Sequence, residues 1–157
     1  MTNVNFDMTQ AAIKRTKILT LSGALPFLGS LVLVFFPVAP FDAAHIASTY
    51  AALIIAFLGG TQWGLFLVFS QRSPINLMVQ SNLVTLIAWA GLLVLPSTGA
   101  IAVHALCFLY LLFLDYRLFK SGIIPPWYFS LRRLVTLIVI SFLLAMIAAL
   151  FYYTLSP

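Results

Sequence analysis

The chain has 157 residues, of which 63% are hydrophobic and only 7% are charged. A water-soluble domain needs about 25% charged residues to cover its surface, so this composition excludes a soluble globular protein and indicates a membrane protein. The net charge is +5, but the basic residues flank apolar segments and form no face with interleaved aromatics, which argues against a nucleic-acid partner.

Five segments are long and apolar enough to cross a bilayer, which takes about 20 residues of helix. They predict an all-α fold, a polytopic membrane bundle of five transmembrane helices in one domain that covers residues 1–157. The helices are expected at about residues 18–36, 50–69, 75–95, 100–119 and 134–151.

The first segment is longer than the apolar core of a signal peptide, so we interpret it as an uncleaved first helix. Pro26 lies in its middle and should kink it. Before the fifth segment, residues 120–133 combine Gly122, the Pro125-Pro126 pair and Trp127. We interpret them as a hinge at the membrane interface.

The positions of the basic residues predict the orientation. With five spans, all eight Lys and Arg residues fall on one side of the membrane, and such residues favour the cytoplasmic side. We therefore expect a cytoplasmic N-terminus and an outward C-terminus, in a bacterial cytoplasmic membrane or, in a eukaryote, the mitochondrial inner membrane.

The second segment carries three glycines beside an amide and an indole: Gly59, Gly60, Gln62, Trp63 and Gly64. A Gly60-x-x-x-Gly64 pair allows another helix to approach closely, and Gly59 widens the notch. Three interpretations stay open. The notch packs a helix of the same chain, packs a helix of another chain, or holds a lipid-like or quinone-like ligand.

The third segment is the least apolar. Asn82, Thr85 and Trp89 share one of its faces, which we assign to the bundle interior because unpaired polar groups are costly in lipid. Gln62 and Thr85 lie at similar distances from the hairpin at residues 72–73. We therefore expect Gln62 to join Asn82 and Thr85 in a buried polar cluster, either a structural pairing or a polar ligand site.

The fourth segment contains His104 and Asp115. They share one face but lie about 17 Å apart along the axis, which excludes a metal site or catalytic dyad from this pair alone. We expect His104 near the outer interface, solvated or hydrogen-bonded, and Cys107 in a packing role. Asp115 should form an ion pair with Arg132 or Arg133, since an unpaired carboxylate is costly there; an acid with a function inside the membrane is the alternative.

No nucleotide-binding loop, zinc-protease motif, Cys-x-x-Cys pair or nucleophile elbow occurs in the sequence. We therefore expect no enzyme, cofactor or metal. The leading hypothesis is an accessory, assembly or interaction subunit with the lipid bilayer and other membrane subunits as its partners. The alternative is a binding or transport module for a lipid-like or quinone-like molecule near the glycine stretch.

Several stretches together resemble one family of small membrane proteins. They are residues 21–27, 50–52, 57–64 (Phe-Leu-Gly-Gly-Thr-Gln-Trp-Gly) and 126–128, with Asp115, Leu131, Arg132 and Thr136. The family is the domain-of-unknown-function 3429 family, which includes transmembrane protein 69 of mitochondria. The resemblance implies a fold and a membrane location but no reaction. It also implies a basic or imidazole side chain before the tryptophan, where this chain has Gln62.

Overall fold

The computed structural model describes residues 8–155, and side chains as far as residue 153. Asp7 and the last two residues of the C-terminal tail lie outside this part. The described chain forms six helices: α1 (Gln10–Ser22), α2 (Leu25–Phe35), α3 (Ala43–Phe69), α4 (Leu77–Val94), α5 (Ser97–Lys120) and α6 (Pro126–Leu155). With α1 and α2 counted as one span, these helices provide five segments long and apolar enough to cross a membrane, so the predicted helical membrane fold is confirmed.

The first span is broken rather than kinked. Helix α1 ends at Ser22 and α2 begins at Leu25, with Pro26 in the first turn of α2. A proline in a first turn loses no intrahelical hydrogen bond. The hydroxyl of Tyr50 on α3 donates to the carbonyl of Gly23 at 3.0 Å, which ties the break to the rest of the bundle.

Three spans begin seven or eight residues earlier than their hydropathy indicates: the first at Gln10, the second at Ala43 and the fifth at Pro126. The Asp42 side chain accepts from the backbone N–H groups of Ala44 and His45, so α3 begins at Ala43 instead of near residue 50. Helix α6 begins at Pro126, a favoured first position. The predicted hinge over residues 120–133 is therefore much shorter, because its second half forms the first two turns of α6.

Gly122 ends α5 with a φ of 68°, which permits the reversal that closes the helix. The N–H of Ile123 donates to the Leu118 carbonyl, and that of Gly122 donates to the Phe119 carbonyl, both at 3.0 Å. Ile123 and Leu118 are buried together. This compact turn positions the start of α6 against the end of α5.

Helices α3 and α5 form the centre of the bundle. Helix α3 packs against α2, α4 and α5, while α5 packs against α3, α4 and α6. Helix α1 is peripheral, because it buries none of its residues and packs weakly against α6.

The spans alternate in direction, so the start of α1, the α3–α4 turn and the α5–α6 turn lie at one end of the bundle. All eight basic residues lie toward this end, which we call the basic end. Arg132 is buried, with 6% of its surface accessible, whereas the other seven are exposed or half-buried.

Candidate functional site

A buried ion pair joins the last two helices near the basic end. Nε of Arg132 lies 2.8 Å from Oδ2 of Asp115, and both side chains are almost fully buried. Asp115 lies five residues before the end of α5 and Arg132 six residues after the start of α6. The pair is therefore about 8 to 9 Å inside the bundle along the helix axes.

Gln62 of α3 is the third member of this cluster. It is 2% exposed and directs its side-chain amide toward the Asp115 carboxylate as a hydrogen-bond donor. It lies seven residues before the end of α3, which places it at nearly the same depth as Asp115. Its Oε1 atom is buried without a hydrogen-bond partner among the described residues.

Thr136 lies one turn after Arg132 on the same face of α6. It is 2% exposed, and its hydroxyl has no hydrogen-bond partner in the described part of the chain. A helical threonine commonly donates back to the carbonyl four residues earlier, as Thr16 and Thr20 do in α1. The Thr136 hydroxyl is therefore an unused donor and acceptor in a dry position.

The terminal amines of Arg132 are also unused. Within residues 8–155 only its Nε atom donates to a protein acceptor, at Asp115. A guanidinium has five N–H donors, so most of its hydrogen-bonding capacity is unsatisfied by the chain. Arg132 and Thr136 both line the same cavity. The terminal amines of Arg132 can meet a ligand there, whereas the Thr136 hydroxyl itself is buried.

The cavity has a volume of about 250 Å³ and lies between α1, α3 and α6. Along α6 it extends from Tyr128 to Val139, which is about 16 Å of helix. Tyr128 and Arg132 form the end toward the basic end of the bundle, while Phe27 and Phe108 contribute to the deeper, apolar part. The cavity is thus polar at one end and apolar at the other.

A second hollow of about 500 Å³ adjoins this cavity at the basic end. Thr61 and Tyr128 line both spaces. The remaining lining of the second hollow is almost entirely apolar and comes from α1, α3 and the α5–α6 turn. The two spaces therefore lie side by side beneath α1.

The predicted glycine notch divides between two surfaces. Gly59 is buried, and a Cβ atom there would lie 2.8 Å from the Thr85 hydroxyl of α4, so this glycine permits close packing of α3 on α4. Gly60 and Gly64 are exposed, and nothing lies within 4 Å of a Cβ added at either position. Gly60 and Gly64 therefore provide no close helix contact within residues 8–155.

The assignment of Asn82 and Trp89 to the bundle interior was wrong. Asn82 is exposed and donates to the Met78 carbonyl of its own helix, and Trp89 is 57% exposed. The buried face of α4 is instead formed by Leu77, Ser81, Val84, Ala88 and Gly91. Successive side chains of a helix point about 100° apart. Asn82 and Trp89 follow the buried residues Ser81 and Ala88 and therefore point outward.

The predicted cluster of Gln62 with Asn82 and Thr85 does not form either. Thr85 is half-buried and faces Gly59, whereas Gln62 faces Asp115 on α5. Trp63, one residue further, is 40% exposed.

His104 lies in the other half of the bundle and is fully buried, not solvated. Its Nε2 donates to the Ala88 carbonyl at 3.0 Å, so Nδ1 accepts from the Ser48 hydroxyl at 3.5 Å. Cys107, also buried, directs its thiol toward the Val84 carbonyl. The polar atoms of His104 and Cys107 thus have hydrogen-bond partners within the bundle, and neither residue lines either of the two hollows.

Of the two arginines that the sequence offered as partners for Asp115, only Arg132 pairs with it; Arg133 is exposed. Sequence reasoning quoted Thr136, Tyr128 and Phe27 only for the family resemblance and gave them no place in a site, and it did not single out Phe108. One signal pointed to Thr136: its spacing of four residues from an arginine inside a membrane helix.

The arrangement presents hydrogen-bond donors to an apolar, partly enclosed space. Its chemistry is that of recognition, since the donors can hold an acceptor oxygen while the apolar walls hold a hydrocarbon or ring.

No curated protein and no solved structure matches this chain. A family model matches residues 12–148, nearly the whole described bundle, and its description is "Protein of unknown function (DUF3429)". The match covers both the ion pair and the cavity, and it confirms the resemblance seen in the sequence. The chain therefore belongs to the DUF3429 family of proteins of unknown function.

Proposed function

We propose that this multi-pass membrane protein binds an amphipathic, lipid-like or quinone-like molecule in the cavity beside Arg132, as a binding or transport module. The observation that carries the proposal is the Arg132 guanidinium, which lines an apolar cavity and whose terminal amines have no acceptor among residues 8–155. Polar groups in a dry setting are costly unless they find partners. A bound acceptor oxygen would provide the partner that residues 8–155 lack.

The orientation of the cavity supports this proposal. Its polar end lies toward the basic end of the bundle and its apolar end toward the middle of the spans. A lipid-like molecule in that leaflet has the same orientation, with its head near the interface and its hydrocarbon toward the bilayer centre. Such a molecule can enter the cavity without turning over.

The membrane and its sides are part of the proposal. The basic end carries all eight Lys and Arg residues, and this distribution favours the cytoplasmic side. We place the protein in a bacterial cytoplasmic membrane, or the mitochondrial inner membrane in a eukaryote, with the N-terminus and the cavity's polar end on the cytoplasmic or matrix side.

The test is mass spectrometry of small molecules that co-purify with the protein in mild detergent. Thr136→Phe would fill the cavity, and we expect the co-purified molecule to be lost from this variant. The matched control is Leu137→Phe, which adds an aromatic ring to the same helix at a position that is 52% exposed. Absence of any ligand from the wild-type protein, or equal retention by the two variants, would refute the proposal.

A second function is favoured by the exposed glycines. Gly60 and Gly64 lie one turn apart on an exposed part of α3, and a Cβ added at either would meet nothing within 4 Å, although Gly64 also borders the second hollow. We propose as an alternative that this surface packs a helix of another membrane subunit, so that the protein is an accessory or assembly subunit.

Gly60→Leu tests this alternative. We expect the substitution to disrupt a defined complex in mild detergent while the monomer stays folded. Gly29→Leu is the control, because Gly29 is also exposed with open space around it but lies on α2. Equal recovery of the complex with both variants would count against the accessory role.

A further inference from the structure

We infer that the cavity selects a ligand whose head group is uncharged and carries a carbonyl-type acceptor oxygen, and that Asp115 excludes anionic heads such as phosphates. The inference rests on the proposed binding function and adds to it the charge of the ligand. It follows from the pairing of Arg132, the charged residue that lines the cavity, with Asp115 behind it, and from the donors of Arg132 that this pairing leaves unused.

The charged groups at the site already balance. Asp115 of α5 and Arg132 of α6 are 5% and 6% exposed and pair with each other at 2.8 Å. The other side chains beside them are uncharged: Gln62 of α3, and Tyr128 and Thr136 of α6. The site therefore has one positive and one negative charge and no surplus of either.

The Asp115 carboxylate accepts from Nε of Arg132 at 2.8 Å and lies beside the side-chain amide of Gln62. Pairing with a guanidinium at this distance is what an ionised carboxylate requires in a dry environment. The negative charge of Asp115 is therefore paired with the guanidinium that a ligand would contact.

An anionic head group would add an unbalanced negative charge to this site. Taking an ion out of water is costly, and the cost is recovered only when a counter-charge is available. Here the counter-charge of Arg132 is already used by Asp115, which would also repel the incoming anion. A phosphate would therefore enter at a net loss.

A neutral carbonyl oxygen meets no such penalty. It can accept from the terminal amines of Arg132, which have no acceptor among residues 8–155. The total charge of the site stays at zero. Esters, amides and quinones have this kind of oxygen next to an apolar body, and the aromatic walls at Phe27 and Phe108 suit such a body.

The test compares two probes with similar chains, methyl decanoate and decyl phosphate, at equal mole fractions in detergent at pH 7. Native mass spectrometry counts the bound probe, and Thr136→Phe identifies the share that occupies the cavity. Since burying an unbalanced ion is costly, we expect the wild-type protein to bind the ester at least about tenfold more tightly.

Asp115→Asn sharpens the comparison, because the variant keeps the shape of the side chain and leaves the Arg132 charge unbalanced. We expect the preference to shift toward decyl phosphate. Equal or tighter binding of decyl phosphate by the wild-type cavity would overturn the inference and leave the binding function standing. Binding of neither probe in the cavity would overturn both. If Asp115→Asn does not fold, the wild-type ratio decides alone.

Discussion

The two halves of the bundle bury polar groups in different ways. In the half away from the basic end, His104 bonds to the Ala88 carbonyl and to Ser48, and each group has a partner. In the basic half, Arg132 lines a cavity, and its terminal amines have no acceptor in the described chain. The difference separates a polar group that holds helices together from one that is available to a ligand.

The largest effect should come from removing one side of the ion pair. Arg132→Ala leaves Asp115 buried without its counter-charge, and we expect a loss of about 3 to 5 kcal/mol in the free energy of unfolding. Thermal unfolding in detergent measures it. Arg133→Ala is the control, because Arg133 is exposed and its removal should cost less than about 0.5 kcal/mol. Similar losses in both variants would show that the basic half does not depend on this pair.

His104→Ala tests the other half. The substitution removes two hydrogen bonds and leaves a cavity in a fully buried position, so we expect a loss of about 2 to 5 kcal/mol in stability. Ligand binding per folded molecule should not change. A marked fall in binding by the folded variant would show that the two halves are coupled.

Gly59→Val tests the contact between α3 and α4. Its Cβ would lie 2.8 Å from the Thr85 hydroxyl, and such overpacking typically costs about 1 to 3 kcal/mol. Gly60→Val, where an added Cβ meets nothing within 4 Å, is the matched control for stability. If both variants melt at the same temperature, the close approach at Gly59 does not limit packing.

Thr136→Val is the smallest change. It removes a buried hydroxyl that has no partner among the described residues while keeping the side chain's shape, so stability should stay the same or rise slightly. Titration of methyl decanoate should show unchanged binding, because the hydroxyl itself has almost no accessible surface toward the cavity. A loss of stability would show that the hydroxyl has a structural role.

The sequence was sufficient to predict the spans and the ion pair, for two physical reasons. Hydrocarbon imposes a minimum length on any crossing helix, so the five segments were visible as apolar runs. A carboxylate at the depth of Asp115 must have a partner, and Arg132 and Arg133 were the cations within reach.

The rotation of the helices was not predictable in the same way. Lipid tails and a bundle interior are equally apolar, so no contrast in hydropathy marks the inward face. The polarity of Asn82 therefore led to a wrong inward assignment. Its side-chain amide donates to the Met78 carbonyl of its own helix and needs no partner in the bundle interior. The small residues Ser81, Ala88 and Gly91 occupy the true interface.

The cavity was hidden for a further reason. It lies in a gap between α1, α3 and α6, next to the break at Gly23. No single stretch of sequence encodes the width of that gap. Thr136 became significant only when the structure showed that its hydroxyl has no acceptor in the described chain.

The peripheral position of α1 affects how a molecule reaches the site. This helix forms one wall of the cavity through Leu19, Thr20 and Gly23, yet it buries none of its residues. Segments with few buried contacts open at the lowest free-energy cost. Sideways displacement of α1 about the break at Gly23, where Tyr50 anchors the chain, would open the chamber directly to the surrounding leaflet while the central pair α3 and α5 stays closed.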